Sequence, residues 1–531
     1  MTTKLCVPLT ANTYERMAAD IRAATAAQAD MIELRLDHLR DHDLASLRRL
    51  MDAARSFPGE LIVTCRMAEE GGRWDGDESG RVSLMELAGL CGAHYLDFEY
   101  EAWRRSANIR QKIGLVCDVN TDSSRPRARL ILSKHDFERT PDDPASILAD
   151  IAREPAHVVK LACKANKITD SLLMLEALRA SAAVRPTIAL SMGEAGILAR
   201  VLARKWGAVL TFASLEAGQE SAPGQVPVTQ MREMYRWDAL NAETRVYGVI
   251  GCPVAHSMSP AIMNAAFGEV GHNGVYLPMR VEPDYTDFRA FVDGCLRRPW
   301  LDLRGCSVTI PHKQNLLRYV EERGGDIEPL ARRIGAANTL SVEKGTRPDG
   351  SDARVSASNT DYRGAMDALM AGLAGGGDLG DAAVVVLGAG GASRAIVAGL
   401  RDAGCRVTIC NRTADKARAL ADEFQATARP WNDRGRLEAD VVVNCTSIGM
   451  WPKVDESPLP GGPRLGKMVV FDTIYNPIET QLLRDARERG CRTIDGVAMF
   501  VNQAAAQFQI WTGIPAPTAT IRLHLVQRLG R

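Results

Sequence analysis

The strongest constraint on the fold is a series of short apolar, β-branched runs that alternate with longer helical patterns in the first half of the chain. The runs are LCVPLT (5–10), MIELRL (31–36), LIVTC (61–65), HYLDFEY (94–100), LILSK (130–134), HVVKLA (157–162), TIALSM (187–192) and AVLTFA (208–213). Eight strand–helix steps over about this length are typical of a parallel (β/α)8 barrel. We therefore predict an α/β chain whose first half is such a barrel.

Charged side chains lie within these runs or soon after them: Glu33, Arg35, Arg66, His135, Lys160 and Arg200. Each has an ordinary explanation when taken singly. A strand lysine usually extends its ammonium to solvent, a lone histidine is usually structural, and Glu33 with Arg35 can simply form an ion pair. Together they favour a site at the C-terminal ends of the strands, because a barrel interior does not readily solvate so many charges.

These residue types suit one class of reaction. A desolvated lysine among cations, here Lys160, can form a Schiff base with a ketone, and the protonated imine acidifies the adjacent carbon. A histidine such as His135 can remove that proton and return it to a leaving hydroxyl, while an arginine such as Arg200 binds a carboxylate. The set predicts dehydration of a hydroxylated keto acid.

Size and composition set wider limits. A chain of 531 residues suits two to four domains, and a net charge of +0 with a pI of about 7.1 argues against a nucleic-acid or membrane partner. No apolar run reaches the length of a membrane span, and LCVPLT follows Met1 too closely to leave room for a signal or transit peptide. The 12 cysteines show neither C-x-x-C nor zinc spacing. We expect a cytoplasmic protein that acts on small molecules and has no metal site. The sequence leaves its oligomeric state open.

The second half begins with RWDALNAETR (236–245), which we interpret as a barrel-closing helix, and continues with the strand-like runs VYGVIG, VYLPMRV, CSVTIP and NTLSVE. Then AVVVLGAGGASRAIVAGL (383–400) predicts a strand, a tight turn and a helix. Gly388 permits the turn, Gly390 lets the backbone approach a pyrophosphate, and Ser393 replaces the third glycine of the usual dinucleotide fingerprint. Alone, such a turn can equally be a plain corner.

The next strand-like run, RVTIC, ends in Asn411, Arg412 and Thr413. An enzyme that uses NAD typically has an acidic residue here, whereas an arginine suits a 2′-phosphate. Lys416 adds a second positive charge nearby. The pattern predicts NADP as the cofactor.

Polar residues before and between these runs form a second candidate set: Ser257, Ser259, Thr309, Lys313, Asn338, Asn359 and Asp361. Hydroxyls, amides and a lysine–aspartate couple suit a polyhydroxylated carboxylate. Taken by itself, HSMSP (256–260) is better explained as a helix start with proline in the first turn.

Residues 1 to about 235 resemble a type I 3-dehydroquinate dehydratase. The resemblance implies that Lys160 forms the Schiff base, His135 is the general acid and base, Glu70 orients His135, and Arg200 binds the carboxylate. It also implies substrate contacts from residues outside this group: Glu33, Arg35, Arg66, and Ser221 and Gln225 of a lid with the sequence SAPGQ.

Residues 245–531 resemble shikimate dehydrogenase. The resemblance implies Lys313 and Asp361 as the catalytic pair. It implies substrate contacts from Ser257, Ser259, Thr309, Asn338 and Gln503, with Tyr475 and Gln507 as substrate neighbours. It implies an NADP site made of Gly388, Ala389, Gly390, Gly391, Ala392, Ser393, Asn411, Arg412, Thr413, Lys416, Thr446 and Met499.

The two resemblances describe consecutive steps, because the dehydratase product, 3-dehydroshikimate, is the dehydrogenase substrate. They imply a bifunctional enzyme acting on 3-dehydroquinate, 3-dehydroshikimate and shikimate. The implied domains are a barrel (1–238), a shikimate-binding α/β domain (243–358, completed by helices in 497–531) and a Rossmann NADP domain (359–496).

Two alternatives stay open. The first is a sensor or repressor that kept the folds without catalysis, although such a protein should have lost parts of these residue sets. The second is a catabolic quinate enzyme that uses NAD; Arg412 argues against NAD, and the paired serines of HSMSP favour shikimate over the bulkier quinate.

Overall fold

The structure, a computed structural model, describes residues 2–117, 128–373, 379–459, 461 and 468–530. The chain divides into two compact units. The first comprises Met1–Thr244 with Leu277–Val281, and the second comprises Arg245–Tyr276 with Glu282–Arg531.

The first unit contains an eight-stranded sheet in the described part of the chain, and all of its printed strand pairs are parallel. Its strands are β1 (Lys4–Leu9), β2 (Met31–Arg35), β3 (Glu60–Thr64), β4 (Tyr95–Glu99), β5 (Arg129–Asp136), β6 (Val158–Lys164), β7 (Thr187–Met192) and β8 (Leu210–Phe212). They follow in sequence around the sheet, with β8 beside β1. The Val209 amide donates to the Thr187 carbonyl at 2.9 Å, which nearly closes the ring. The predicted barrel is confirmed.

Helices connect these strands: α1 (Tyr14–Ala26), α2 (Leu44–Ala54), α3 (Glu78–Leu90), α4 (Tyr100–Arg105), α5 (Ala107–Cys117), α6 (Pro144–Ile151), α7 (Ile168–Ala182), α8 (Ile197–Leu202) and α9 (Val228–Glu233). Several begin at a short polar side chain that accepts a hydrogen bond from the first turn: Thr13, Asp43, Asp77 and Asp143. Such caps satisfy amides that have no partner within the helix.

The barrel interior changes character along the strands. Apolar side chains such as Met31, Ile62 and Ile131 fill its core. Strand residues two apart point to the same side, so positions further along the same strands also face inward. On β2 and β5 those positions hold charged residues, Glu33 and His135. The polar site therefore lies above the apolar core, at the C-terminal ends of the strands.

The next sheet is mixed, in the order β10-β9-β11-β13-β14-β12, and it belongs to the second unit except for the last residues of β10, from Leu277, which the division gives to the first. Its strands are β9 (Arg245–Gly251), β10 (Gly274–Arg280), β11 (Leu303–Val308), β12 (Asp326–Ile327), β13 (Thr339–Glu343) and β14 (Arg354–Ser358). The helices among these strands are α10 (Ser259–Glu269), α11 (Tyr285–Leu296), α12 (Lys313–Glu322) and α13 (Pro329–Ile334), and α14 (Asp361–Leu373) follows β14 and packs in the core of the next sheet. The six strands lie within residues 243–358, for which the sequence predicts an α/β substrate domain.

A second sheet follows in the order β17-β16-β15-β18-β19-β20, with parallel pairing throughout its described strands. Its strands are β15 (Ala383–Leu387), β16 (Arg406–Asn411), β17 (Thr427–Pro430), β18 (Val441–Asn444), β19 (Val469–Asp472) and β20 (Arg492–Ile494). The helices beside it are α15 (Gly391–Asp402), α16 (Ala414–Glu423) and α17 (Gln481–Glu488); α18 (Gly496–Thr512) and α19 (Thr518–Leu529) follow, and most of their buried residues pack against β9, β10 and α10. The order is that of a Rossmann fold, whose ligand site lies beside the first strand.

The helix predicted over 236–245 is wrong. This segment contains only a short 3-10 helix, Trp237–Ala239. Asn241 and Thr244 form a turn instead, since the Asn241 amide donates to the Thr244 hydroxyl at 2.9 Å. Local side-chain bonds of this kind compete with helix formation.

No helix in the described part of the chain combines the length and apolar composition needed to cross a membrane.

Candidate active sites

A polar cavity opens at the mouth of the barrel. It is lined by Glu33, Arg35, Arg66, Glu70, Gly71, His135, Phe137, Lys160, Ala162, Leu190, Met192, Arg200, Phe212, Ser221, Ala222 and Gln225. Every barrel residue singled out from the sequence is among them. Tertiary structure brings together side chains that are up to 192 residues apart in sequence, from Glu33 to Gln225.

Lys160 projects from β6 into this cavity. Its ammonium lies 2.7 Å from Asp97 Oδ2 and 4.8 Å from the centre of the Phe212 ring. Asp97 also accepts hydrogen bonds from Arg66 at 2.7 Å and from the Ser133 hydroxyl at 2.6 Å. Burial favours a raised pKa for Asp97, but Arg66 and Lys160 together hold that pKa well below its usual range. Lys160 is therefore ion-paired to a fixed carboxylate.

His135 lies at the end of β5 and is held by Glu70. Glu70 Oε2 lies 3.0 Å from the His135 ring Nδ1 and also accepts from the His135 backbone amide at 3.0 Å. Burial, followed by the charges of Arg66 and Lys160, lowers the pKa of His135 well below its usual value, which favours a neutral ring. Burial raises the pKa of Glu70 to about 7. If the Nδ1 hydrogen points at Glu70, the other ring nitrogen is free to accept a proton.

Two further strand residues have fixed orientations. Arg35 donates to both oxygens of Asp37, at 2.9 and 2.8 Å, and Glu33 accepts from the Thr64 hydroxyl at 2.6 Å. Burial would lower the pKa of Arg35, but Asp37 raises it. Both side chains therefore present pre-oriented polar groups to the cavity.

Arg200 differs from the other cations of the site because no carboxylate among the described residues pairs with it. Its guanidinium donates only to the carbonyls of Phe212 at 3.5 Å and Pro223 at 3.2 Å, and its Nε has no partner in the described structure. Burial lowers the pKa of Arg200 to about 10. A buried cation with weak partners is suited to a ligand carboxylate.

Ser221 and Gln225 lie close to each other in the lid segment. Gln225 accepts from the Ser221 amide and donates to its hydroxyl, both at 2.9 Å. These two bonds close a short loop beside the cavity.

Sequence reasoning missed Asp97, Glu99 and Ser133. A detectable signal was present for the first two, because HYLDFEY places Tyr95, Asp97 and Glu99 on one side of β4, and Tyr95 belongs to the barrel core. Two carboxylates following a core residue at alternate positions predict an inward-facing acidic pair. Glu99 lies 3.3 Å from Arg66 and also pairs with the buried Arg81.

In the second unit, Lys313 and Asp361 form an ion pair of 2.5 Å. Each is the first residue of its helix, α12 and α14 respectively. Asn338 donates to the other oxygen of Asp361 at 2.9 Å. Both members of the pair are largely shielded from solvent, with side chains 13% and 7% exposed, so this is not a surface ion pair.

Ser257 and Ser259 lie at the start of α10, where the Ser259 amide donates to the Ser257 hydroxyl at 3.3 Å. Tyr475 belongs to the same region, because its hydroxyl interacts with the backbone of Met258. Burial raises the pKa of Tyr475 to about 12, so its hydroxyl is neutral at physiological pH. Thr309 follows β11, and its amide donates to the Ile250 carbonyl at 2.9 Å.

Three amide side chains already have partners within the protein. Gln507 accepts from Ser307 at 2.6 Å and donates to the Asn338 carbonyl and the Thr339 hydroxyl at 3.0 Å. Asn359 donates to the Ala336 carbonyl and accepts from the amide of Asp361, and Gln503 donates to the Phe500 carbonyl. Their predicted contacts with substrate stay predictions.

Tyr276 and Ser307, which form a hydrogen-bonded chain with the predicted Gln507, were also missed. The Tyr276 hydroxyl donates to Ser307 at 2.6 Å, and Ser307 donates to Gln507. No local motif marks these residues, since they meet only when three separate elements pack.

The glycine turn has the geometry that a phosphate requires. Gly388 has a φ of +112°, which disfavours other residues. A Cβ added to Gly390 would meet nothing within 4 Å, so the space over the turn is open. A Cβ on Gly391 would lie 2.8 Å from the Lys313 side chain, which shows how closely Lys313 approaches the turn. Ser393 Oγ accepts from the Gly390 amide at 3.2 Å, and this bond stabilises the turn.

The remaining predicted cofactor residues lie in the same sheet domain as the glycine turn, most of them near the ends of its strands. Asn411 ends β16 and donates to the Thr413 carbonyl at 2.9 Å, while Arg412 and Lys416 are exposed with no partner in the described structure. Thr446 donates to Asn444 at 2.7 Å at the end of β18. Ala389 and Ala392 complete the turn, and Met499 lies in α18 within the core of this domain.

Four family sequence models match the chain. Type I 3-dehydroquinase matches residues 5–242, and the shikimate dehydrogenase substrate binding domain matches residues 249–340. Shikimate/quinate 5-dehydrogenase matches residues 372–456, and the shikimate 5′-dehydrogenase C-terminal domain matches residues 496–522.

Individual proteins are also similar to the chain. A bifunctional 3-dehydroquinate dehydratase/shikimate dehydrogenase of Arabidopsis thaliana, described as chloroplastic, is 35% identical over 97% of this chain and 82% of its own length. An NADP(+) shikimate dehydrogenase of Moorella thermoacetica is 39% identical over 55% of this chain and 96% of its own. A Thermus thermophilus shikimate 5-dehydrogenase, crystallised with NADP(H) and shikimate, is 32% identical over 53% of this chain and 99% of its own, with a TM-score of 0.45.

Proposed function

The chain belongs to the family of bifunctional 3-dehydroquinate dehydratase/shikimate dehydrogenases, and from this membership we propose which of its residues carry out each reaction. The protein dehydrates 3-dehydroquinate to 3-dehydroshikimate and reduces that product to shikimate with NADPH. Both reactions belong to the shikimate pathway.

We assign the dehydratase to residues 1–238, shikimate binding to 243–358 with the helices in 497–531, and NADP binding to 359–496. The position of the glycine turn inside the third segment supports this division, as does the complete set of barrel-mouth residues in the first.

In the dehydratase, Lys160 attacks the substrate ketone and forms an imine. His135, neutral and held by Glu70, removes a proton from the adjacent carbon and then returns it to the departing hydroxyl as water leaves. The His135–Glu70 contact and the depressed pKa of His135 support this role, because a base must be unprotonated before it acts. Hydrolysis of the product imine releases Lys160.

Substrate binding divides between charge and hydroxyl contacts. Arg200, which lacks a carboxylate partner, binds the substrate carboxylate. Glu33, Arg35 and Arg66 hold the substrate hydroxyls. Two lid residues, Ser221 and Gln225, close over the bound substrate.

In the dehydrogenase, the open space over Gly390 and the unpaired side chain of Arg412 fit a dinucleotide with a 2′-phosphate. NADPH supplies the hydride when it is bound. The backbone of 388–393 would hold its pyrophosphate, and Asn411 to Thr413 with Lys416 would hold its adenosine phosphate. Two more residues, Thr446 and Met499, would lie near the bound cofactor.

Lys313 donates a proton to the developing alkoxide, because an ammonium both stabilises the oxyanion and has a proton to release. Asp361, held by Asn338, orients Lys313 and a substrate hydroxyl. The remaining substrate contacts are assigned to Ser257, Ser259, Thr309, Asn338, Asn359, Tyr475, Gln503 and Gln507.

We propose that the partners of the chain are these small molecules, without nucleic acid or membrane, and that it acts in the cytoplasm. The neutral charge balance supports this assignment, as do the twelve cysteines, which form no disulfide in the described residues. Fractionation of cells that produce the protein tests it.

The observation that carries the assignment of two active sites is that each unit contains a complete set: an ion-paired barrel lysine beside a neutral histidine, and a lysine–aspartate pair against a glycine turn. Purified full-length protein incubated with 3-dehydroquinate should accumulate enone absorbance. Adding NADPH should then remove that absorbance as NADPH is consumed. Enone formation without NADPH consumption would contradict the second assignment alone, and no enone at all would contradict the first.

A further inference from the structure

We propose that Asp97 is the fixed counter-ion of the Lys160 nitrogen, a positioning residue matched to that nitrogen as an ammonium and again as an iminium. The inference rests on the proposed role of Lys160. It concerns a residue that does not line the cavity and so acts through Lys160 rather than on the substrate.

Asp97 is rigidly held. Its residue is only 2% exposed, and its Oδ1 accepts from both Arg66 Nη2 and the Ser133 hydroxyl. Ser133 in turn accepts from Arg66 Nη1 at 2.7 Å, which closes a small ring of bonds behind the carboxylate. Oδ2 is left to face Lys160 at 2.7 Å. The Asp97 carboxylate therefore has a fixed position. A positive charge that it stabilises must lie where the Lys160 nitrogen lies.

The chemistry conserves that charge. An ammonium and a ketone become a protonated imine and one water: two of the three nitrogen protons leave with the carbonyl oxygen, and one stays on nitrogen. The nitrogen carries one positive charge before and after this step. A counter-ion that fits the ammonium of Lys160 thus also fits the iminium, with no reorganisation of Asp97.

Other charged groups around Lys160 are poorly suited to this role. Arg66 is a cation, and His135 is held neutral by its surroundings. Glu70 is bound to His135, and Glu33 is bound to Thr64. On the remaining sides Lys160 faces the Phe212 ring of β8 and, at longer range, the thiol of Cys6 on β1.

The test compares Asp97→Asn with the wild-type full-length chain. Each protein is mixed with 3-dehydroquinate and borohydride, and the adduct on the Lys160 peptide is measured by mass spectrometry. Quinate, which has a hydroxyl in place of the ketone, measures non-covalent binding. We expect the trapped fraction to fall at least 10-fold and the dehydratase kcat at least 100-fold, with quinate affinity within threefold. Trapping and kcat both within threefold of wild type would overturn the proposal.

Glu101→Gln is the control, because Glu101 is a carboxylate just beyond β4 that pairs with Lys134 and not with Lys160. Its trapped fraction should stay within threefold of wild type. An equal loss of trapped imine in both variants would overturn the counter-ion role of Asp97, because the change in net charge would then suffice to explain the loss.

If Asp97→Asn binds no quinate, Asp97→Glu and Asp97→Gln provide a second pair that differs only in charge. The glutamate variant should trap at least 10-fold more imine than the glutamine variant, and equal trapping would overturn the proposal. No adduct on Lys160 in the wild-type chain would instead overturn the assignment of Lys160, and the counter-ion role with it.

Discussion

Replacing Arg200 with methionine should stabilise the protein while it removes dehydratase activity. Burial lowers the pKa of Arg200 from 12.5 to about 10 with no carboxylate to offset it. At about 1.4 kcal/mol per pKa unit, keeping this cation buried costs about 3 kcal/mol. The two carbonyl bonds of its guanidinium offset about 1 kcal/mol each. We therefore expect the free energy of unfolding of Arg200→Met to exceed that of wild type by about 1 kcal/mol.

The functional effect should have the opposite sign. Two charge-assisted bonds to a substrate carboxylate, each contributing about 1.5–3 kcal/mol, correspond to a loss of at least about 100-fold in dehydratase kcat/KM. The loss should appear mainly as a higher KM, because the carboxylate is bound in both the ground state and the transition state. Shikimate oxidation with NADP should be unchanged, since Arg200 lies in the other unit.

Arg81→Met is the matched control. Arg81 is equally buried but forms a close ion pair with Glu99, so removing it breaks that pair and leaves the buried carboxylate with Arg66 alone, at 3.3 Å. Breaking such a pair costs about 3–5 kcal/mol. Urea unfolding of both variants, followed by tryptophan fluorescence, measures the contrast. Two results would refute the hypothesis that Arg200 is a buried cation that binds the substrate carboxylate and has no carboxylate partner in the described protein. One is that Arg200→Met is destabilised as strongly as Arg81→Met, and the other is that its dehydratase kcat/KM stays within threefold of wild type.

Four other outcomes are expected. Lys160→Ala should abolish dehydration yet leave NADP-linked shikimate oxidation near normal; loss of both activities in a folded protein would contradict the division of the chain. Arg412→Ala should raise the KM for NADP about 10- to 100-fold, from about 1.5–3 kcal/mol of phosphate pairing, and barely change that for NAD; equal effects would exclude it as the phosphate ligand. Lys313→Ala should lower shikimate turnover at least about 100-fold without loss of dehydratase activity, and turnover within a few-fold would exclude it as the acid. Dehydratase kcat should rise with pH through about 7 as Glu70 ionises and holds His135, and Glu70→Gln should remove that limb of the pH profile; an unchanged limb would show that another group titrates.

Much of this architecture could be predicted because its determinants are local. Strand residues two apart share a side, so the alternation in HVVKLA already places Lys160 on the inward face with Val158 and Ala162. A tight turn needs a residue that tolerates positive φ, so Gly388 marks the corner in the sequence itself. The barrel, the turn and the approximate site could thus be inferred without coordinates. The helix predicted at 236–245 was wrong because local side-chain bonds in a polar segment outweighed its helical pattern.

Only the tertiary structure decided which charged side chains form ion pairs with each other. Asp97 lies 63 residues before Lys160, and their pairing depends on how two separate strands are aligned in the barrel. The same holds for Arg200, whose lack of a carboxylate partner is a property of its surroundings rather than of its motif. Gly391 reads from sequence as one more turn residue, yet its missing side chain is what admits Lys313. Electrostatic interactions depend on distance and burial in three dimensions, and neither quantity is specified by spacing along the chain.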